Sequence, residues 1–189
     1  MSDLSALPRL LAAADWPAAE RLLRRAARPG AAAAVFYNLA KVLEAQGKTG
    51  QVAHWLGRAV AADPGHAKAW FERGRAQHAA GDSGRALAAF RKAATLDPAD
   101  TEAWRMVLHL ALRLCDWAGA EAALDHLPAG PGTAAARYRV LAETGRAGPQ
   151  DRAALLADPA GRPEALKALT RVAKGSLPLR LPAGPGRST

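Results

Sequence analysis

The 189-residue chain has few of the residues that several protein classes require. Its one cysteine, Cys115, excludes an intramolecular disulfide and a cysteine-based metal cluster. No run approaches the roughly 18 apolar residues of a membrane-spanning helix. Residues 1–16 contain the acidic Asp3 and no apolar core, which does not fit a secretory signal. We therefore expect a cytoplasmic protein without a transmembrane segment.

Aromatic and β-branched residues are also scarce. Aromatic residues make up 5% of the chain, although half of all residues are apolar, and alanine is the most frequent residue. Alanine has the highest helix propensity, whereas valine and isoleucine, which favour strands, are few. This composition predicts an all-α protein.

The charge is strongly unbalanced. Lysine and arginine number 26 against 17 aspartates and glutamates, a net charge of +9, and the isoelectric point is near 10.6. Such an excess suits an acidic protein partner, a nucleic acid or an anionic membrane surface. It is equally typical of a basic, soluble chain with none of these partners.

A repeat with a period of 34 residues organises the middle of the chain. The stretch 95–104, TLDPADTEAW, closely resembles AADPGHAKAW at 61–70. The same period brings Phe36, Trp70 and Trp104 into one register. Agreement of several positions at one period indicates a tandem array of similar structural units.

One unit predicts two antiparallel helices. The first helix is expected over 67–80 and ends at Gly81, which suits the left-handed conformation that follows many helices. Asp82 or Ser83 can cap a second helix over 84–96. Pro98 cannot continue that helix.

This arrangement resembles the tetratricopeptide repeat. The residues of unit 67–100 that match the family pattern are Trp70, Gly74, Ala86, Phe90, Ala93 and Pro98. The unit departs from the pattern at Arg73 and Gln77, where the family has a leucine and a tyrosine. The resemblance implies a right-handed α-solenoid of antiparallel helix hairpins.

The predicted layout places tandem repeats over residues 2–127, a degenerate repeat and a capping helix over 133–175, and a disordered tail over 176–189. The repeat units expected within the first segment are a divergent one at 2–32, two well-matched ones at 33–66 and 67–100, and a truncated one at 101–127.

Catalytic and metal-binding patterns are missing from the sequence. The five histidines are dispersed along the chain without a recognisable metal or catalytic motif, and no glycine-rich phosphate loop lies between a strand and a helix. Cys115 falls at the turn position that Gly47 and Gly81 occupy in the other units. We therefore expect a protein that is not an enzyme and has no metal or cofactor.

The resemblance implies that the first helices line a concave groove that binds protein segments. The residues it places there are Tyr37, Lys41, Lys68, Phe71, Arg75, His78, Arg105, His109 and Arg113. Their charge favours an acidic partner. The expected function is a non-catalytic adaptor or scaffold, serving complex assembly or client delivery.

Three alternatives remain. The net charge is compatible with a binder of nucleic acid or anionic surfaces, although the aromatic residues follow the core register rather than a stacking platform. For Trp55 there are two expectations. Exposed on the surface, it could anchor self-association or a partner; otherwise it is buried against the first repeat unit. Finally, the chain could be the repeat region of an enzyme or its partner, since such repeats often precede catalytic domains in bacterial proteins.

Overall fold

A computed structural model describes residues 4–173, and this part of the chain contains eleven α-helices, one short 3-10 helix and no strand, which confirms the all-α prediction. The helices are α1 (Leu7–Ala12), α2 (Trp16–Ala26), α3 (Ala33–Ala45), α4 (Val52–Ala62), α5 (Ala67–Ala79), α6 (Ser83–Leu96), α7 (Thr101–Arg113), α8 (Trp117–Leu124), α9 (Pro131–Glu143), α10 (Pro149–Ala157) and α11 (Arg162–Val172). No helix among residues 4–173 combines the length and apolar character that crossing a bilayer requires. The expected tail at 176–189 lies outside the described residues.

The chain divides into two compact units within α7, the first ending at Met106 and the second beginning at Val107. In the second unit, α9 packs against α10 and α11 around a core that includes Leu155, Leu156 and Leu169. The Arg139 guanidinium lies 5.5 Å from the ring centre of Trp117, at the start of α8. The repeat boundaries expected from the sequence remain predictions.

The same tight turn follows five of the helices. In each turn one residue has a positive φ, between 53° and 82°: Ala14, Gly47, Gly81, Cys115 and Gly145. The next N–H donates to the carbonyl five residues earlier, in the pairs Asp15–Leu10, Lys48–Leu43, Asp82–Gln77, Asp116–Ala111 and Arg146–Leu141. This hydrogen bond defines the Schellman motif, which ends one helix and reverses the chain into the next.

Aspartates begin three of the second helices. Asp15, Asp82 and Asp116 each directly follow the left-handed residue, and each carboxylate accepts a hydrogen bond from the backbone N–H three residues later, at 3.0–3.1 Å. The bond satisfies one N–H that the helix leaves without an intrahelical partner. One residue of the turn therefore closes the first helix and its neighbour opens the second.

Close packing joins α5 and α6. Phe90 and Ala86 on α6 are completely buried, and Gly74 on α5 faces the Phe90 ring. A Cβ atom at Gly74 would lie 2.9 Å from that ring. The absence of a side chain at Gly74 is what allows the two helices to approach this closely.

The repeated Asp-Pro and Ala-Trp pairs are linked by a hydrogen bond. The Trp70 indole N–H donates to the Pro64 carbonyl at 3.0 Å, and the Trp104 indole donates to the Pro98 carbonyl at 3.1 Å. Each tryptophan thereby ties the first turn of a helix to the loop that precedes it. This bond explains why the two pairs recur at the same separation.

Trp55 is half-buried, which resolves the alternatives for this residue. Its ring stacks on Phe36, with the centroids 6.2 Å apart. The guanidinium groups of Arg24 and Arg58 lie 5.9 Å and 5.3 Å from the ring centre. The side chain therefore packs within the first unit, between α2, α3 and α4.

A buried carboxylate connects α2 to the turn after α3. Glu20 accepts hydrogen bonds from Lys48 at 2.6 Å and from Arg24 and Gln46 at 2.8 Å, and its side chain is only 12% exposed. The hydrogen bond from Lys48, with those from Arg24 and Gln46, outweighs burial and lowers the pKa of Glu20 from 4.5 to about 2.

We predict that Gly74→Ala lowers the free energy of unfolding by about 1–3 kcal/mol, because the new methyl group overlaps the buried Phe90 ring. Gly57→Ala is the matched control. Gly57 also lies inside a helix but has open space around it, so alanine there should raise stability by about 0.5–1 kcal/mol. Urea unfolding measures both changes. Equal effects of the two substitutions would contradict the packing of Gly74 on Phe90.

We predict that Cys115→Gly raises the free energy of unfolding by about 1 kcal/mol. Cys115 has φ +57°, a conformation that is unfavourable for a residue with a side chain and free for glycine. Cys115→Ala retains that strain and should change stability by less than about 0.5 kcal/mol. Thermal and urea unfolding distinguish the two variants, and a glycine variant no more stable than the alanine variant would refute the strain.

We predict a pH-dependent contribution from Glu20. Because its pKa is lowered on folding, its carboxylate stabilises the protein fully above pH 4.5, and the contribution disappears as the pH falls towards 2. The shift corresponds to at most about 3 kcal/mol at pH 6 and less than half of that at pH 3. Urea unfolding of the wild type and Glu20→Gln at both pH values measures it. The exposed Glu102→Gln is the control, and a wild-type advantage independent of pH would rule out this role.

Candidate functional site

The first unit contains a cleft of about 660 Å³ between α3, α4, α5 and the start of α7. Its apolar surface comes from Val52 and Ala53 at the start of α4, Phe71 and Ala76 on α5, and Met106 on α7. The cleft therefore offers apolar contact area to a side chain that enters it.

The helical period of α5 places its cleft residues on one side. Phe71, Arg75 and His78 follow one another at i, i+4 and i+7, which is one face of an α-helix. The Phe71 ring meets Phe90 edge-on, with the centroids 5.3 Å apart and the planes at 67°. This contact with the hairpin core fixes the position of the Phe71 ring at the cleft.

Carboxylates neutralise the cations around the cleft. Lys41 forms ion pairs with Glu44 and, at 3.2 Å, with Glu72. Arg75 pairs with the same two carboxylates, at 2.8 Å to Glu72 and 3.7 Å to Glu44. The four groups form one network with no net charge.

Arg105 is also paired, at 3.1 Å, with Glu102, and Glu102 lines the cleft. Each of the cations Lys41, Arg75 and Arg105 thus has an acidic neighbour on the same surface. The ion pairs balance the charges of these three cations.

The ion-pair network shifts two pKa values. Burial alone would lower the pKa of Lys41, but the hydrogen bond from Lys41 to Glu44 and the charge of Glu72 raise it above its usual value. Burial raises the pKa of Tyr37, and the negative charge of Glu72 adds to this effect. Lys41 therefore stays charged at neutral pH and Tyr37 keeps its phenolic proton.

The structure brings only part of the predicted set together. Phe71, Arg75 and His78 line the cleft. Lys41 lies in an adjoining hollow of about 430 Å³, and Glu44 borders both spaces. This hollow also contains Leu11, Trp16 and Asn38, so the concave surface extends from α5 towards α1.

The remaining predicted residues lie elsewhere. Tyr37 is half-buried and stacks on His66, with the centroids 5.1 Å apart. Lys68 is exposed at the start of α5. Arg105 does not line the cleft itself but forms an ion pair with Glu102, which does. His109 and Arg113 belong to the second unit. All nine residues stay a prediction as partner contacts.

Several cleft residues are absent from the predicted set of partner contacts. Glu72 and Met106 each directly follow a residue predicted to face the groove, and they occupy the same place in consecutive units. The sequence shows that they do not match the basic clamp of repeats that bind chaperone C-termini, but it gives no reason to expect them in an apolar cleft. Val52 and Ala53 belong to a second helix, and no signal in the sequence associated that helix with the groove.

Residues 67–100 match the family model of the tetratricopeptide repeat. This stretch therefore contains one repeat of the tetratricopeptide type. No curated protein matches the chain by sequence. The resemblance of residues 67–100 to the repeat is thereby confirmed, and modules of this family are generally non-catalytic and interact with proteins.

Solved structures share the fold of the chain. A crystal structure of MamA superposes with a TM-score of 0.63 at 17% identity, covering 94% of this chain and 95% of MamA. A tetratricopeptide repeat protein from Parabacteroides merdae gives a TM-score of 0.61 at 18% identity, with 93% and 79% coverage. YrrB, described as a repeat protein with an unusual peptide-binding site, gives 0.53 at 21% identity, with 64% and 63% coverage. At these identities the likeness shows the fold alone, which is the tetratricopeptide-type α-solenoid.

Proposed function

We propose that the chain is a non-catalytic scaffold that binds a segment of a partner protein in the cleft of its first unit. The observation that carries this proposal is the cleft itself, where apolar side chains lie between charged groups. Apolar anchors surrounded by polar groups are typical of surfaces that recognise protein segments. The family of the repeat supports the same class of function.

The partner segment inserts an apolar side chain next to Phe71 and Met106. The surrounding carboxylates of Glu44, Glu72 and Glu102 and the guanidinium of Arg75 contact the polar groups of the segment. Because these charges are already paired, they orient the segment without favouring one sign of charge. The apolar anchor therefore supplies the affinity, and the ion pairs supply the register.

The partner carries an excess of acidic residues. Residues 4–106 contain 15 lysines and arginines against nine aspartates and glutamates, an excess of six positive charges. This field attracts an acidic protein over distances of about 8 Å, the screening length at physiological salt. The acidic preference thus comes from the wider surface of the unit, and the function is assembly of a complex or delivery of a client.

We predict that Ala79→Arg, which places a large side chain in the cleft, weakens partner binding at least tenfold. Ala79 is exposed at the end of α5, so the fold should tolerate the change. Ala34→Arg is the matched control, because Ala34 is exposed on α3 and does not line the cleft. The measurement is capture of partners from an extract of the source cells with and without nuclease, followed by calorimetry with the purified partner.

A protein retained by the wild type and by Ala34→Arg but lost by Ala79→Arg supports the cleft as the binding site. A partner that all three retain equally places binding elsewhere on the chain. If the captured material disappears with nuclease, and its binding falls steeply with salt, the chain binds nucleic acid instead.

A further inference from the structure

The α5–α6 hairpin has a second hollow, separate from the cleft. This crevice of about 410 Å³ is lined only by residues of these two helices, and the side chains that matter here are Trp70, Arg73, Gln77, Arg85, Ala89 and Lys92. It combines three cations with one amide and one aromatic ring. The crevice therefore differs in chemistry from the charge-balanced cleft.

Comparison with the preceding hairpin explains why the crevice exists. The residues 34 positions before Arg73 and Gln77 are Leu39 and Leu43, which are both completely buried. The residue 34 positions before Ala89 is Trp55, whose ring stacks on Phe36 within its own hairpin. The α5–α6 hairpin thus has polar side chains in place of two core leucines and a methyl group in place of an indole.

The cations of the crevice are incompletely paired. Arg85 lies 3.4 Å from Asp82, with 79% of its side chain exposed. Among residues 4–173, no carboxylate lies within ion-pair distance of Arg73 or Lys92. Lys41, Arg75 and Arg105 around the cleft each have such a partner. The crevice therefore has positive charge available for an external anion.

Two features pre-organise the crevice. The Arg73 guanidinium lies 5.2 Å from the ring centre of Trp70, and the Trp70 indole is itself bonded to the Pro64 carbonyl. The Gln77 Oε1 atom is buried and accepts no hydrogen bond. A buried polar atom without a partner is unfavourable, and a ligand that donates to it relieves this penalty.

We propose that this crevice binds an acidic peptide segment through the carboxylate of an aspartate or glutamate. The carboxylate accepts hydrogen bonds from Arg73 and Lys92, and a backbone N–H of the segment donates to Gln77. A peptide supplies the acceptor and the donor together, which matches the groups that the crevice presents.

A peptide fits the crevice better than a nucleic acid does. The cations converge on one hollow instead of following a track along which a phosphate backbone could lie. Arg73 lies over one face of the Trp70 ring, so a base could not stack on that face. This site is separate from the cleft of the proposed function, and either can fail without the other.

The test uses the full-length protein and a fluorescein-labelled peptide of alternating aspartate and serine. A second peptide with asparagine in place of aspartate and a single-stranded DNA of similar length are the comparison probes. The double variant R73L/Q77L restores the two leucines of the preceding hairpin and should therefore fold. R21L removes one exposed arginine elsewhere in the same unit and controls for net charge.

We expect fluorescence anisotropy to show binding of the aspartate peptide to the wild type and to R21L, with at least tenfold weaker binding to R73L/Q77L. The asparagine peptide should bind at least tenfold more weakly to the wild type. In ¹H–¹⁵N spectra, the aspartate peptide should shift the indole resonance of Trp70, assigned with Trp70→Phe.

Three results would overturn the proposal. One is unchanged affinity of the aspartate peptide for R73L/Q77L, which would place acidic binding elsewhere. Another is tighter binding of the DNA than of the peptide, lost in the same double variant, which would assign the crevice to a different ligand. The third is binding of the peptide without a shift of the Trp70 indole. Ala79→Arg, which blocks the cleft, should leave binding of the aspartate peptide unchanged.

Discussion

The left-handed turn between paired helices is the constraint on which the rest of the structure depends. One residue with positive φ and one hydrogen bond across five residues reverse the chain, and this happens after α1, α3, α5, α7 and α9. Because the turn is short, the second helix has to run back along the first, and their facing residues become neighbours. The contact of Gly74 with Phe90 is one result of this geometry.

The bond from tryptophan to the proline carbonyl acts at the other end of the repeat. The turn sets the geometry within a hairpin, whereas the indole bonds of Trp70 and Trp104 fix the loop that enters the next one. The proline ends the preceding helix, and its carbonyl is left without an intrahelical donor, so the indole satisfies it. Both features recur at the 34-residue period, the turn at Gly47, Gly81 and Cys115 and the indole bond at Trp70 and Trp104.

The helix ends could be predicted from the sequence, because the residues that set them act locally. The contacts between side chains of different helices could not. The expected helices at 67–80 and 84–96 agree within one residue with α5 and α6, because Gly81, Asp82 and Pro98 each act on the adjacent backbone. The pairing of Arg75 with Glu44 depends on the separation of two helices and on the rotamers of long side chains. The charge balance around the cleft could therefore be seen only in the structure, although every residue involved was visible in the sequence.

The hairpins share their turns but differ in the side chains at equivalent positions, and these side chains give each hairpin its own surface chemistry. The α3–α4 hairpin fills its interior with Leu39, Leu43 and Trp55, whereas the equivalent residues of α5–α6 are an arginine, a glutamine and an alanine. Close contact between these two helices is kept where the buried Phe90 ring packs over Gly74. Positions that belong to the core in one hairpin therefore line a polar crevice in the next.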